Sequence, residues 1–214
     1  MLKSDYRFWR KYMANWTAES LVEFESKIAE LFNSGAIKFP IHLSNGNEHS
    51  LIEIFKNVKS RDWVFGSWRN HYQCLLKGVP PEELIQAIMQ GKSISLCFPE
   101  YKIYSSAIVG GQLSIAVGVA MAIKKNNGGD KVWCFLGDMT SETGIAQTCI
   151  RYSLSNNLPI IFVIEDNSLS VQTKTREIWN SNSLRYEENN HPNVIGFRYK
   201  SKYPHAGAGK RIQF

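Results

Sequence analysis

The fold is decided by the stretch Lys131-Val132-Trp133-Cys134-Phe135-Leu136-Gly137-Asp138, an apolar run that ends in a glycine and a carboxylate. A second apolar run, Pro159–Ile164, is followed by Glu165-Asp166-Asn167. Each run has the length and apolar character of a buried strand. The segment 140–158 between them is long enough for one crossover helix. The sequence therefore predicts a β-α-β unit with two parallel strands.

Two polar residues, Asp138 and Asn167, follow these predicted strands and lie 29 positions apart. In open α/β sheets, ligands bind at the carboxyl ends of the strands. A carboxylate and a carboxamide are hard oxygen ligands of the kind that Mg²⁺ or Ca²⁺ prefers. Gly137 and the helix predicted after Asp138 would let backbone N–H groups approach a phosphate. The residues alone predict a metal-bridged pyrophosphate site.

The remaining elements follow from apolar periodicity and from Gly and Pro punctuation. We expect helices at 17–34, 48–57, 80–91 and 110–125, and strands at 62–66 and 194–200. The helix 110–125 is rich in small residues, so it packs closely either within the chain or against a second subunit. Residues 168–192 lack periodicity and are typical of a long loop with short helical turns. We expect one domain, 1–214, in which 1–40 form an N-terminal helical extension.

Composition excludes several classes of protein. The formal charge of +6 admits an anionic partner, but no basic run or aromatic repeat favours nucleic-acid binding over scattered surface lysines. The N-terminus has no signal-peptide pattern, and no segment has 18 uninterrupted apolar residues. The four cysteines lack metal-type spacing. We therefore expect a cytoplasmic protein with reduced thiols, without a membrane span.

Several ordered motifs resemble the diphosphate-binding half of thiamine diphosphate (ThDP) enzymes. The chain is most similar to the alpha subunit of the decarboxylating component of 2-oxo acid dehydrogenases. Gly137-Asp138-Met139 and Asp166-Asn167 resemble the family's Gly-Asp-Gly and Asn-Asn pair, and further matches occur at 42–48, 63–71, 108–112 and 158–163. The resemblance covers about 40–173 and implies an α/β fold of three α/β/α layers around a mainly parallel sheet.

The resemblance also implies a role for individual residues. Asp138, the side-chain oxygen of Asn167 and the backbone carbonyl of Leu169 would bind Mg²⁺. His71 would lie near the reacting carbon and transfer a proton, and His42 is a weaker candidate for a substrate contact. The remaining cofactor contacts would come from the side chains or backbone of Trp68, Arg69, Ala107, Val109, Gly137, Met139 and Thr140.

Four positions depart from the family pattern: Met139, Asp166, Thr148, which replaces a glutamate, and Glu142, which replaces an asparagine. Met139 replaces a glycine and would be strained if that position needs a positive φ angle. Asp166 replaces the first asparagine, and its charge could either strengthen metal binding or repel phosphate. We interpret the chain as a working site with an unusual substrate.

The resemblance further implies that the chain is half of an enzyme. A beta-type partner subunit would supply the pyrimidine-binding domain and the glutamate that activates the cofactor, in an α2β2 assembly. The complex would cleave a C–C bond beside a carbonyl in a small substrate. A transketolase-like carboligase subunit and a non-catalytic regulatory subunit are alternatives. No counterpart of the family's phosphate-contacting histidine loop is visible.

Overall fold

The computed structural model describes residues 15–209, and the first 14 residues of the expected N-terminal extension lie outside this range. The strands are β1 (Trp63–Gly66), β2 (Cys97–Phe98), β3 (Ile103–Ser105), β4 (Val132–Gly137), β5 (Ile160–Asp166), β6 (Leu169–Ser170), β7 (Thr173–Lys174) and β8 (Val194–Arg198). The helices are α1 (Ala18–Asn33), α2 (Glu48–Phe55), α3 (His71–Leu76), α4 (Pro81–Met89), α5 (Leu113–Lys125), α6 (Asp138–Ser141), α7 (Gly144–Ser155), α8 (Thr175–Ile178) and α9 (Arg185–Glu188).

Six strands form one sheet in the order β2-β3-β1-β4-β5-β8. All its pairings are parallel except that of β2 with β3. The two strands of the predicted β-α-β unit, β4 and β5, are neighbours, and Gly137 lies opposite Glu165. Two helices, α6 and α7, make the crossover in place of the single helix that the sequence predicted.

Side chains of β4 and β5 alternate between two apolar clusters, as strand geometry requires. Trp133 and Phe135 join α1, α3 and α4 on one face, whereas Cys134 and Leu136 join α5 and α7 on the other. The predicted three-layer α/β/α architecture is therefore confirmed. The four cysteines are unpaired, three of them buried.

The helix boundaries follow local signals. Thr17 caps α1 by accepting a hydrogen bond from the Ser20 N–H at 3.3 Å, and Gly35 follows its end with a φ of 80°. One face of α1 is fully buried, and each of its large apolar side chains contributes about 1.5–3 kcal/mol to folding. These side chains are Leu21, Phe24, Ile28 and Phe32.

The small-residue helix α5 has two different faces. Leu113, Ala116 and Ala120 are buried in the chain, whereas Ile115 and Met121 are more than 40% exposed. Core packing thus uses one face and leaves an apolar face uncovered. Within residues 15–209, no helix is both long enough and apolar enough to span a membrane.

Candidate cofactor site

A cavity of about 290 Å³ lies at the carboxyl ends of the parallel strands β1, β4 and β5. The weaker candidate His42 lines it, and so do ten of the eleven metal, cofactor and catalytic residues predicted from the sequence. The ten are Trp68, Arg69, Ala107, Val109, Gly137, Asp138, Met139, Thr140, Asn167 and Leu169. His71 is the exception.

Asp138 follows β4 and begins α6, and it is only 2% exposed. Its Oδ2 atom is buried without a hydrogen-bond partner among the described residues. Burial raises the pKa of this carboxyl to about 6; the Thr175 hydroxyl and the backbone N–H groups of Asp138 and Met139 oppose this shift, and the nearby charge of Asp166 adds to it. A buried carboxylate oxygen without a donor is costly, and a bound cation would remove that cost.

Asn167 and Leu169 belong to a tight turn that leads into the hairpin β6–β7. The Leu169 N–H donates to the Asn167 Oδ1 atom at 3.0 Å. Ser168 and Val171 have positive φ angles of 63° and 56°, which cost energy for non-glycine residues and most for β-branched valine. The hairpin therefore depends on the surrounding structure to keep its shape.

The hairpin was not predicted. The expectation for this region was a long loop with short helical turns, and α8 and α9 are such turns. Strands of two residues, such as β6 and β7, are too short to produce a periodic pattern.

Met139 is not strained, because it lies in the helical turn α6 and not in a left-handed conformation. Its Sδ atom lies 3.2 Å from the Nε1 atom of Trp179 on the segment after α8. The side chain of Met139, which stands where the family has glycine, thus contacts Trp179 later in the chain.

Asp166 is fully buried, and its charge is balanced within the protein. Arg176 Nη2 donates to Oδ2 at 2.7 Å, the Tyr186 hydroxyl at 2.8 Å, and the Ser168 N–H donates to Oδ1 at 2.8 Å. Although burial opposes ionisation, the hydrogen bonds from Arg176 and Tyr186 hold the pKa of Asp166 below its usual value. The Asp166 carboxylate thus has donors from the protein that the Asp138 Oδ2 atom lacks.

Arg69 lines the cavity but is partly committed to the protein. Its Nε donates to the Leu43 carbonyl at 3.0 Å, and its Nη2 to the His205 carbonyl at 3.1 Å. Only Nη1 has no hydrogen bond to the described residues. Nη1 carries two hydrogens and Nη2 a second one, so the guanidinium keeps N–H donors for a phosphate while it holds both carbonyls.

Two histidines, His42 and His205, share the cavity wall with Trp68. The imidazole rings of His42 and His205 meet edge to face, with their centroids 4.8 Å apart. Burial and the charge of Arg69 lower the pKa of His42 to about 3 and also lower that of His205. Both imidazoles are thus neutral near pH 7. The Nδ1 atom of His42 is buried without a partner among the described residues.

The segment 42–48 is held by buried carboxylates. Glu25 accepts the Ser44 N–H at 2.6 Å, and Glu48 accepts the Gly46 N–H at 2.8 Å. Gly46 has a φ of 111°, and a Cβ there would lie 2.3 Å from a backbone oxygen of Lys200. This segment can therefore follow its path only with glycine at position 46.

Glu165 is a buried carboxyl in the cavity wall. It accepts hydrogen bonds from the side-chain amides of Asn47 at 3.0 Å and Gln73 at 3.1 Å. Burial nevertheless raises its pKa to about 7. Glu165 was not among the site residues predicted from the sequence.

The structure corrects the expected position of His71. The imidazole is fully buried, with Nδ1 3.1 Å from Glu25 Oε1 and Nε2 2.9 Å from Ser93 Oγ. It does not line the cavity, because α3 directs it toward α1. Both ring nitrogens are occupied, so His71 holds the core together next to the site and does not reach it.

Two other residues of the cavity wall, Tyr199 and His205, were not predicted from the sequence. Tyr199 directly follows β8. Because ligands bind at the carboxyl ends of parallel strands, this position could have predicted it as a site residue. His205 lies in the irregular tail, and no pattern pointed to it. The tail reaches the cavity through a bridge between His42 and Gly207 and through the contact with Arg69.

The donor set suits a hard cation better than a transition metal. Within residues 15–209, no three His, Cys, Asp or Glu side chains are grouped to hold a metal. One carboxylate, one carboxamide and one carbonyl would hold such a cation and would leave it further ligand positions for phosphate and water oxygens. A Cβ added at Gly137 would meet nothing within 4 Å, so that side of the strand end is open.

Comparison with known proteins agrees with this geometry. The model of the dehydrogenase E1 component family matches residues 17–188. The alpha subunit of acetoin:2,6-dichlorophenolindophenol oxidoreductase from Bacillus subtilis is 26% identical over 174 residues, covering 75% of this chain and 52% of the relative. The pyruvate dehydrogenase E1 component subunit alpha of Rickettsia prowazekii is 29% identical, over 72% of this chain and 50% of the relative.

A third relative, the same subunit from Rickettsia typhi, is 30% identical over 165 residues, with 72% of this chain and 50% of the relative covered. The chain spans about half the length of these relatives. The family match covers most of the chain, including β4, β5 and the hairpin. This chain belongs to the dehydrogenase E1 component family, whose members depend on ThDP.

Proposed function

We propose that this chain is the alpha-type subunit of a ThDP- and Mg²⁺-dependent enzyme that cleaves a C–C bond next to a carbonyl group. The observation that carries the proposal is the buried Asp138 carboxylate, whose Oδ2 atom lacks a donor in the wall of a cavity. Family membership supports ThDP as the cofactor. We further propose that the chain forms a single diphosphate-binding module.

In this proposal the protein holds the cofactor by its diphosphate end. Asp138, Asn167 Oδ1 and the Leu169 carbonyl would bind Mg²⁺, and backbone groups of Gly137 and Met139 with the Thr140 hydroxyl would meet the diphosphate. Arg69 would offer Nη1, and backbone groups of Ala107 and Val109 would face the pyrimidine ring. Bound ThDP would supply the electron sink for C–C cleavage.

We propose His42, with His205, in place of His71 as the imidazoles nearest the substrate. Both line the cavity, and the unpartnered Nδ1 of His42 can still take a hydrogen bond. Because both are neutral near pH 7, each can donate one hydrogen bond and accept another. They would orient the oxygen atoms of a carbonyl substrate.

A beta-type partner would complete the site. Val109, Leu169 and Val171 line the cavity yet are 42–57% exposed, and neighbouring Ile108 is 70% exposed. Exposed apolar residues grouped at a cavity mouth are typical of a protein interface. The partner would cover this rim and supply the activating glutamate, and the assembly would be α2β2.

The relatives support a small 2-oxo acid or an acetoin-like compound as the substrate, with dehydrogenase-type chemistry. They do not favour the transketolase-like carboligase or the non-catalytic subunit.

Calorimetric titration of ThDP into the chain with its partner tests the proposal. We expect binding only with Mg²⁺, and Asp138→Ala should weaken it by on the order of 100-fold, because a direct cation ligand is lost. Asp130→Asn is the control, since that carboxylate pairs with Lys102 at the surface. ThDP affinity that does not change in Asp138→Ala would refute the metal assignment.

A further inference from the structure

Asp166 and Arg176 lie at the two ends of the segment that carries the proposed cation ligands. Asp166 ends β5, directly before Asn167, and Arg176 lies in the first turn of α8, directly after the hairpin β6–β7. The ion pair of 2.7 Å therefore closes a loop between residues ten positions apart. The segment enclosed by this pair contains Asn167, Leu169 and Val171 from the cavity wall.

The enclosed hairpin has little stability of its own. Only two residue pairs join β6 and β7, and isolated hairpins are marginal in water. Left-handed backbone at Ser168 and Val171 adds strain. One further backbone bond, from the Thr175 N–H to the Ser168 carbonyl at 3.2 Å, lies at its base. Contacts outside the hairpin must therefore determine its position.

The charges around the pair form a closed group. Glu187 accepts from Arg176 at 2.7 Å and also from Arg198, which lies opposite Asp166 on β8. Two guanidinium groups and two carboxylates balance, and the Tyr186 hydroxyl occupies a further site on Asp166. The Asp166 carboxylate thus binds its own chain rather than a cation.

We propose that Asp166 and Arg176 are positioning residues, whose ion pair clamps the base of the hairpin and presents Asn167 Oδ1 and the Leu169 carbonyl to the cation. This role rests on the proposed function. It also gives a role to Asp166, which departs from the family pattern: its carboxylate is the ion-pair partner of Arg176. Neither residue lines the cavity.

Arg176→Gln tests the clamp in the complex with the partner subunit, with the Mg²⁺ concentration that half-saturates ThDP binding as the readout. We expect this concentration to rise roughly tenfold, because a charge-assisted contact is lost at the hairpin base. Saturating Mg²⁺ should restore ThDP affinity, and Arg176→Lys should recover part of the loss. The control is Lys174→Gln, which removes a neighbouring exposed pair with Glu177 and should leave the concentration unchanged.

Hydrogen exchange of the full chain without cofactor is a second, independent readout. The amides of 168–175 should exchange several-fold faster in Arg176→Gln, whereas those of β4 should not change. Unchanged exchange of 168–175 would overturn the clamp, and so would an Mg²⁺ requirement equal to that of the parent. If the parent complex does not bind ThDP, the proposed function fails, and the exchange result still decides whether the pair holds the hairpin.

Discussion

Asp138 directly follows β4, and Asp166 is the last residue of the neighbouring parallel strand β5. Both residues are buried, yet their carboxylates have opposite surroundings. Asp166 receives hydrogen bonds from Arg176, Tyr186 and the Ser168 N–H, so it is stabilised as an anion. The Asp138 Oδ2 atom has no such donor, and burial raises the pKa of that carboxyl. Burial alone therefore does not identify a ligand site; what distinguishes Asp138 is an oxygen atom that is buried without a partner among the described residues and belongs to a residue of the cavity wall.

The largest expected effect is that of Asp166→Asn. Removing this buried charge leaves Arg176 with Glu187 alone, so the free energy of unfolding should fall by about 3 kcal/mol at pH 7. Since the pKa of Asp166 is lowered in the folded state, its contribution is present above the unfolded pKa and is lost as the pH falls through the folded one. Urea denaturation at pH 7 and at a pH well below 3.8, the ordinary pKa of an aspartate, measures this contribution. Equal stability of the variant and the parent at pH 7 would contradict the ion-pair group.

The same substitution at the other aspartate should have the opposite sign. Burial raises the pKa of Asp138 from 3.8 to about 6, so ionisation penalises the folded chain increasingly as the pH rises through this range. Without Mg²⁺ or ThDP, Asp138→Asn should therefore raise the free energy of unfolding at pH 7.5 by about 1–2 kcal/mol.

This gain should shrink as the pH falls below 6 and disappear near pH 3, below both the folded pKa and the ordinary value of 3.8, where the parent carboxyl is protonated in the folded and unfolded states alike. Thermal unfolding at both pH values provides the measurement. A loss of stability at pH 7.5 would mean that the chain itself satisfies the Asp138 carboxylate, and the contrast between the two aspartates would be wrong.

The smallest effect concerns one donor to Asp166. Burial and the Asp166 charge raise the pKa of the Tyr186 hydroxyl to about 12, so it stays protonated and donates at neutral pH. Tyr186→Phe should cost about 1 kcal/mol, because one hydrogen bond is lost while the ring still packs on Gly196. Chemical denaturation compares it with Tyr152→Phe, an exposed control that should not change stability. If Tyr186→Phe and Tyr152→Phe changed the free energy of unfolding equally, the hydrogen bond from Tyr186 to Asp166 would not contribute to stability.

The sequence predicted the sheet edge well because its signals were local. The apolar runs of β4 and β5 and the polar residues after them specify two parallel strands and the position of Asp138 and Asn167. Periodicity also predicted α1 and α4 to within two residues of their observed ends. Nearly all the predicted site residues meet in one cavity for this reason.

What the sequence did not predict came from features that no short pattern encodes. Spacing placed His71 near the site, but the orientation of α3 turns the ring toward Glu25. The possible strain at Met139 depended on its φ angle, which the sequence does not give. In the structure Met139 lies in the helical turn α6. His205 reaches the cavity through contacts with residues more than 130 positions earlier, which a linear sequence does not reveal.

The contacts of Arg69 have a consequence for the order of assembly. Its guanidinium joins Leu43 to His205 and thereby links an early segment to one that is synthesised 136 residues after Arg69 itself. Domains fold from the N-terminus during synthesis, and long-range contacts form slowly. The sheet can therefore fold before the cavity has all its walls. A nascent chain that ends before residue 205 would have a core but no complete binding site, so competence to bind would arise only after that residue has been synthesised.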